Sequence, residues 1–377
     1  MSLTWSWLSM TEFFSHLNWI QGYSERSAGE VPNTYSALYR LSALMTTGHI
    51  NPGEGRGVLL DNGLADISWK LTWREDHETP DEHLIERLGD VDGYVIFMHG
   101  WTGNHRVWEE LPALLALENP RLVSISVDHN GFGNTRFVDE TPNLDNCNPP
   151  AAMRSLERWL SLLHLRSRQG DRPKVINFVG HSMGGAALFY LNPLNWRLGE
   201  ETRYAIAPAL LLQDELHSVF FTALGTSINI LQYIGFFKFI ERVIKPELID
   251  ILCAGASDYV KKLHSTEYEV TPRGITGATL VAMGLLHDHE IPRRWDTFRV
   301  ILGHKDRMVG LSPMMDLLSD MEFPTANIRV VPGSHYLFSI GKDVVFQHAQ
   351  NRELVVQDIL ALHERALDIQ KHGVLIG

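Results

Sequence analysis

The sequence predicts an α/β protein with a mostly parallel sheet flanked by helices and interrupted once by a helical insert. Three observations carry the prediction. Short, unbroken apolar runs such as "YVIFMHG" (94–100) and "VINFV" (175–179) read as strands buried on both faces. These runs alternate with helical patterns, which implies right-handed crossovers between parallel strands. The alternation stops over residues 209–292, where the pattern is helical and broken by glycines, and then resumes.

Taken in order, "ADISWKLTW" (65–73) alternates Ile67, Trp69, Leu71 and Trp73 with polar neighbours and reads as a half-exposed strand. A charged loop follows, then the strand 94–100 and a helix over "RVWEELPALLALE" (106–118). "RLVSISVD" (121–128) is the next strand and ends in the glycine-rich turn "HNGFGNT". Residues 151–168 place Leu156, Trp159, Leu160 and Leu163 on one helix face. "KVINFVGHSMGGAALFYL" (174–191) runs from a strand through a sharp turn into a helix, and "RYAIA" precedes Pro208 as another strand. After the interruption come the strand "FRVILGHKD" (298–306), a helix over 313–321, the strand "NIRVVPGSH" (327–335) and a last helix over 344–367. The expected organisation is an N-terminal arm (1–54), a core in two parts (55–208 and 293–377) and a helical cap (209–292) between them.

The bulk numbers narrow the function classes. The chain has 377 residues, 44% hydrophobic and 21% charged, enough to bury a core without disulfides. Its two cysteines, Cys147 and Cys253, have no metal-type spacing, so neither a disulfide framework nor a zinc site is expected. A net charge of −12 with no Lys/Arg stripe argues against nucleic acid as a partner. The N-terminal residues lack the basic start and small-residue cleavage pattern of a signal peptide, and a cytoplasmic location is expected. Their aromatics (Trp5, Trp7, Phe13, Phe14, Trp19) suit an arm packed on the body or on a second copy, with peripheral lipid contact through arm or cap as the rival reading. The uncharged run 218–237 is too polar for a membrane span.

The chemistry centres on Ser182. Gly180-His181-Ser182-Met183-Gly184 lies between a strand and a helix, where the turn must be tight enough to strain the serine, and Gly180 and Gly184 allow the two backbones to meet. A serine hydroxyl needs a base to take its proton, and that base a carboxylate to orient it. Asp306 and His335 follow in that order, each just past the end of a strand and so on the same sheet edge as Ser182. The developing oxyanion needs donors, for which the backbone N–H groups of Met183 and of Trp101, in "HGWTG", are the candidates. Asp214 is a weaker candidate for the acid. His287 and His289 are a two-histidine pair without a third ligand and read as a polar hinge; His181 reads as a packing residue and His99 as a turn stabiliser.

These motifs together make the sequence resemble the α/β-hydrolase superfamily, nearest to its lipase and esterase branch. The residues that carry the resemblance are His99-Gly100-Trp101 with Gly103, Asp128 with Gly131 and Gly133, Gly180 to Gly185, Gly303 with Asp306 and Val309, and Gly333-Ser334-His335. The resemblance covers about residues 55–377 and implies the eight-stranded core and a lid over residues 209–292. It implies cofactor-free hydrolysis of a small-molecule carboxylic ester through an acyl-enzyme, with Ser182, His335 and Asp306 as triad. Aromatic residues of the insert (Phe220, Phe221, Tyr233, Phe236, Phe237, Phe239) suggest an apolar cleft. The same triad could serve acyl transfer or C–C bond hydrolysis, and the fold could act as an idle ligand-binding protein. Ester chain length, the arm's role and a homodimer stay open.

Overall fold

The computed structural model describes residues 69–72, 91–135, 137, 142–162, 174–192, 199–210, 219, 222–228, 237–286, 291–341 and 345–372. Within them runs one seven-stranded sheet, of the eight strands expected, in the order β1-β3-β2-β4-β5-β6-β7. The strands are β1 (Trp69–Thr72), β2 (Gly93–Met98), β3 (Leu122–Val127), β4 (Val175–His181), β5 (Glu201–Ile206), β6 (Phe298–Gly303) and β7 (Ile328–Val331). Every pairing is parallel except that of β1 with β3.

The unbroken apolar runs have the expected cause: every residue of β2, β3, β4 and β5 is buried. β7 closes the edge with Arg329 and Val330 exposed, a charged and only partly apolar strand suited to an unpaired margin. The register pairs Met98 with Gly180, Gly180 with Ala205 and Gly303 with Val331. The turns after β2, β4, β6 and β7 therefore emerge side by side at one edge.

Helices cover the sheet: α1 (Leu111–Glu118), α2 (Pro149–Leu162), α3 (Met183–Ala187), α4 (Phe237–Leu252), α5 (Asp258–Val270), α6 (Arg273–Gly284), α7 (Leu311–Asp320) and α8 (Val345–His372). The helix expected over 106–118 is broken in two. A 3-10 turn over His105–Trp108 ends at Glu109, whose φ of 50° lies in the left-handed region, and α1 restarts with Pro112 in its first turn. Glu109 is held there by the Arg352 guanidinium at 2.9 Å and the Ser257 hydroxyl at 2.6 Å, partners that local patterning does not reveal. α2 begins two residues earlier than expected, because Pro149 fits a helix start and the Asn148 side chain caps the Ala151 N–H at 2.7 Å. The last helix extends to His372, five residues beyond the expected end.

α8 is tied to three strands through one buried carboxylate. Asp358 accepts from the Tyr204 hydroxyl at 3.0 Å and from Arg299 and Arg329 at 2.5 and 3.1 Å. Cys147 and Cys253 are both free and buried. Among the described residues no helix is long and apolar enough to cross a membrane. The arm, Asp214, and His287 with His289 lie outside the described residues, as do the side chains from Phe220 to Phe239 on which the expected apolar cleft rests.

Candidate active site

Ser182 stands at the end of β4 with φ 53° and ψ −117°, a conformation that a non-glycine residue adopts only under constraint from its surroundings. The constraint is visible. The Ser182 N–H donates to Ile206 O at 3.0 Å, and the Ser182 carbonyl accepts from Ala186 N–H and Ala209 N–H at 2.9 and 3.0 Å. A Cβ on Gly180 would lie 2.4 Å from the Gly184 carbonyl oxygen, and one on Gly184 would lie 2.2 Å from that of Met98. Strand and helix can turn this sharply only because both positions lack a side chain. Met183 opens α3, so its N–H is among those without a partner inside the helix.

The turn after β2 reaches the same corner. A Cβ on Gly100 would lie 2.9 Å from Ser182 Cβ and 3.4 Å from its hydroxyl oxygen. The turn closes through Gly103 N–H to Gly100 O at 3.0 Å, with Thr102 at φ 53°. His99 supports it from below: its Nδ1–H donates to Gly100 O at 2.7 Å, and its Nε2 accepts from His129 N–H at 3.2 Å. The Trp101 indole donates to Thr276 O of α6 at 3.0 Å.

On the other side, Asp306 lies in the turn after β6. Its Oδ1 accepts from the N–H groups of Met308 and Val309 at 2.8 and 3.2 Å, while Oδ2 faces His335 Nδ1 at 2.8 Å. Burial by itself would raise the Asp306 carboxyl. The adjacent His335, by charge and hydrogen bond, and the two backbone N–H groups outweigh it and hold the pKa below the ordinary value. An ionised Asp306 fixes the neutral imidazole with its proton on Nδ1 and its lone pair on Nε2. Backbone bonds from His304 N–H to Val331 O and from Lys305 N–H to Gly333 O, at 3.0 and 2.9 Å, lock the Asp306 and His335 turns together.

Ser182 and His335, 9% and 2% exposed, line one cavity. Among the described residues the rest of its wall is uncharged: Trp101, Ala209, Met308 and Val309 from the sheet edge, with Leu252, Leu280 and Met283 from α4 and α6. The structure thus brings Ser182, His335 and Trp101 to one cavity, with Asp306 bonded behind His335 and Met183 next to Ser182. Among the described residues no group of three or more His, Cys, Asp or Glu could hold a metal ion.

His181 packs as expected, its ring 4.7 Å from that of His335 and 4.3 Å from that of Tyr336, and its Nε2–H donates to His335 O at 3.1 Å. Burial, then the nearby His335, pushes its pKa well down, so it is neutral. Asp128, part of the glycine-rich turn, accepts from His105 N–H, His105 Nδ1 and Asn134 N–H at 2.7, 2.9 and 2.9 Å. Although burial opposes it, these contacts bring its pKa to about 2. Three neighbours of the site escape sequence reasoning: Thr102, His264 and Tyr336. His264 Nδ1 lies 3.0 Å from the Thr102 hydroxyl, and its Nε2 is hydrogen-bonded to Tyr336. No local motif marks them, because the partners lie 162 and 72 residues apart in the chain.

A parallel sheet with a strained serine at the end of β4, and a carboxylate–imidazole pair past β6 and β7, defines a class of protein. The family model described as "Alpha/beta hydrolase family" matches residues 95–347, more than half of the chain, and the protein belongs to that family. Solved structures agree in fold. A thermophilic esterase from Thermogutta terrifontis matches with a TM-score of 0.55 and 15% identity, covering 79% of this chain and 94% of its own. A bromoperoxidase from Bacillus anthracis matches with a TM-score of 0.55 and 16% identity over 78% and 96% of the two chains. An enol-lactonase from Burkholderia xenovorans LB400 gives 0.53 and 14% over 79% and 98%. No curated protein matches the chain in sequence.

Proposed function

We propose that this protein hydrolyses carboxylic esters with an apolar acyl or alcohol part through an acyl-enzyme. The observation that carries the reading is the Asp306–His335 hydrogen bond of 2.8 Å behind an imidazole that shares a cavity, apolar among the described residues, with the strained Ser182. The esterase and the enol-lactonase of the same fold are in keeping with it.

In this reading Ser182 Oγ attacks the ester carbonyl carbon while His335 Nε2 takes its proton. The carbonyl electron pair moves onto oxygen, where the N–H groups of Met183 and Trp101 stabilise it, each by about 3–4 kcal/mol. Collapse expels the alkoxide, which takes the proton from His335, and leaves the acyl group on Ser182. Water then attacks the acyl-enzyme with His335 again as base, and the acid departs. Asp306 stays ionised throughout and balances the imidazolium. α4 and α6 act as part of a cap over residues 209–292, an assignment supported by Leu252, Leu280 and Met283 in the cavity wall. The uncharged wall favours neutral acyl chains over charged ones.

The test is hydrolysis of p-nitrophenyl esters from acetate to palmitate by the wild type and Ser182→Ala. The wild type should turn over these esters, and the preferred chain length measures how deep the cleft beside Ser182 runs. Ser182→Ala should lose turnover by roughly 10³-fold or more while unfolding at an unchanged temperature. Equal activity in the two proteins would refute the serine as nucleophile.

A further inference from the structure

We propose that His264 is a positioning residue of this site: from α5 it holds, by one hydrogen bond each, the turn that carries Trp101 and the turn that carries His335. The inference rests on the ester-hydrolase reading for its kinetic consequence, but not for its structural one.

One arrangement of protons satisfies all three side-chain contacts at once. The Thr102 hydroxyl donates its only hydrogen to Trp101 O at 2.7 Å, so towards His264 Nδ1 at 3.0 Å it can only accept. Nδ1 therefore carries the imidazole proton, Nε2 is the lone-pair nitrogen, and the Tyr336 hydroxyl donates to it. The result is a directed chain from Tyr336 through His264 and Thr102 to the carbonyl of Trp101. All three side chains are at most 2% exposed, so water cannot replace a lost bond.

A buried histidine often only fills space, and two features argue against that reading here. First, Thr102 is a β-branched residue at φ 53°, a conformation that costs about 1–3 kcal/mol unless the surroundings enforce it. Its hydroxyl bonds to Trp101 O and His264 are the enforcement that a side chain can supply. Second, the partners are not arbitrary: Thr102 follows Trp101, and Tyr336 follows His335. One imidazole thus spans the two turns that flank Ser182. Neighbouring bonds run the same way, from the Trp101 indole to Thr276 O at 3.0 Å and from Asn104 Nδ2 to Glu267 Oε1 at 2.7 Å. Residues 101, 102 and 104 are each fastened to α5 or α6, so the β2 turn takes its shape from the segment between β5 and β6.

The test uses the full chain with His264→Ala, His264→Leu, His264→Asn, Thr102→Val and Tyr336→Phe. Backbone hydrogen exchange over residues 100–104 and 333–337 is measured beside kcat and KM on p-nitrophenyl butyrate. Exchange at both turns should rise at least about tenfold in His264→Leu, which fills the space without the bonds, and at the first turn alone in Thr102→Val. kcat should fall roughly 10- to 100-fold with KM within about threefold, the pattern of misplaced groups rather than lost binding. His264→Asn, whose amide can donate to Thr102, should recover part of the loss. Adding Thr102→Val to His264→Ala should cost less than Thr102→Val does alone, since the bond between the two side chains is already lost. Unchanged exchange at both turns in folded His264→Leu, or kcat within about twofold of wild type, would overturn the inference. Exchange needs no turnover, so an inactive wild type would sink the ester reading while the exchange data still decide the role of His264. Should His264→Ala fail to fold, the Leu and partner variants carry the same comparison.

Discussion

Asp306 concentrates the chemistry of the site in one side chain, since one carboxylate oxygen is held by two backbone N–H groups and the other meets His335. Asp306→Asn keeps the first oxygen's role but turns an amide N–H₂ towards Nδ1, which must then give up its proton and accept. The imidazole proton moves to Nε2, where the base is needed. Turnover should fall by roughly 10³- to 10⁴-fold with the fold intact, as measured by steady-state kinetics beside thermal unfolding. A loss of less than about tenfold would move the acid to Asp214, the alternative weighed from the sequence. At this scale the sequence is legible in placement: Ser182, Asp306 and His335 lie past strand ends at one edge of the sheet, and Asp306 meets His335. His264 gives no such sign: it sits mid-helix in "KKLHSTEY", and its role exists only once β2, α5 and β7 have been brought together.

Among the elements, β2 was legible because burial on both faces writes itself as an unbroken apolar run, whereas β5 buries Glu201, Thr202 and Arg203 and shows only its apolar end. Helix limits were less so, since Glu109 breaks one pattern through contacts with Arg352 and Ser257 that lie 243 and 148 residues away. The packing of elements also separates two glycines that look alike in sequence. At Gly184, in α3, a Cβ would strike Met98 backbone at 2.2 Å, and neither β2 nor β4 can move within a parallel sheet. Gly184→Ala should therefore cost several kcal/mol, of the order of 3 or more, and appear as loss of soluble folded protein. At Gly274, in the first turn of α6, a Cβ would meet nothing within 4 Å. Gly274→Ala should stabilise by about 0.4–1 kcal/mol and raise the unfolding temperature by about one degree. A similar effect of the two substitutions on that temperature would refute the packing argument.

Across the whole molecule, the buried histidines set its response to acid. Burial pushes His129 and His363 down to about 4 and His264 down to about 3, and His99 and His181 well below the ordinary value. Each is neutral in the folded chain but takes up a proton once unfolded, where the pKa is about 6.5. The unfolded state thus binds more protons as pH falls below 6.5, so stability is complete above that value and declines towards the folded pKa. At pH 5 each of the three with a stated value withdraws about 2 kcal/mol, together about 6, against a typical total of about 5–15. Asp128 and Asp306 act at lower pH, while Glu267, whose carboxyl burial pushes up, opposes the decline. Asp128 and Asp306, with pKa values held down, contribute stability that is present above about pH 4 and lost only as pH falls through their folded values. The decline between pH 6.5 and 4 therefore belongs to the histidines. Urea unfolding at pH 7, 6 and 5 should show a midpoint falling steeply over this range. His363→Gln, which keeps an acceptor for Asn177 Nδ2 at 3.1 Å, should remove about 2 kcal/mol of that fall. A midpoint that stays level from pH 7 to 5, or a His363→Gln variant with the wild-type slope, would mean that these imidazoles are not the groups that titrate on unfolding.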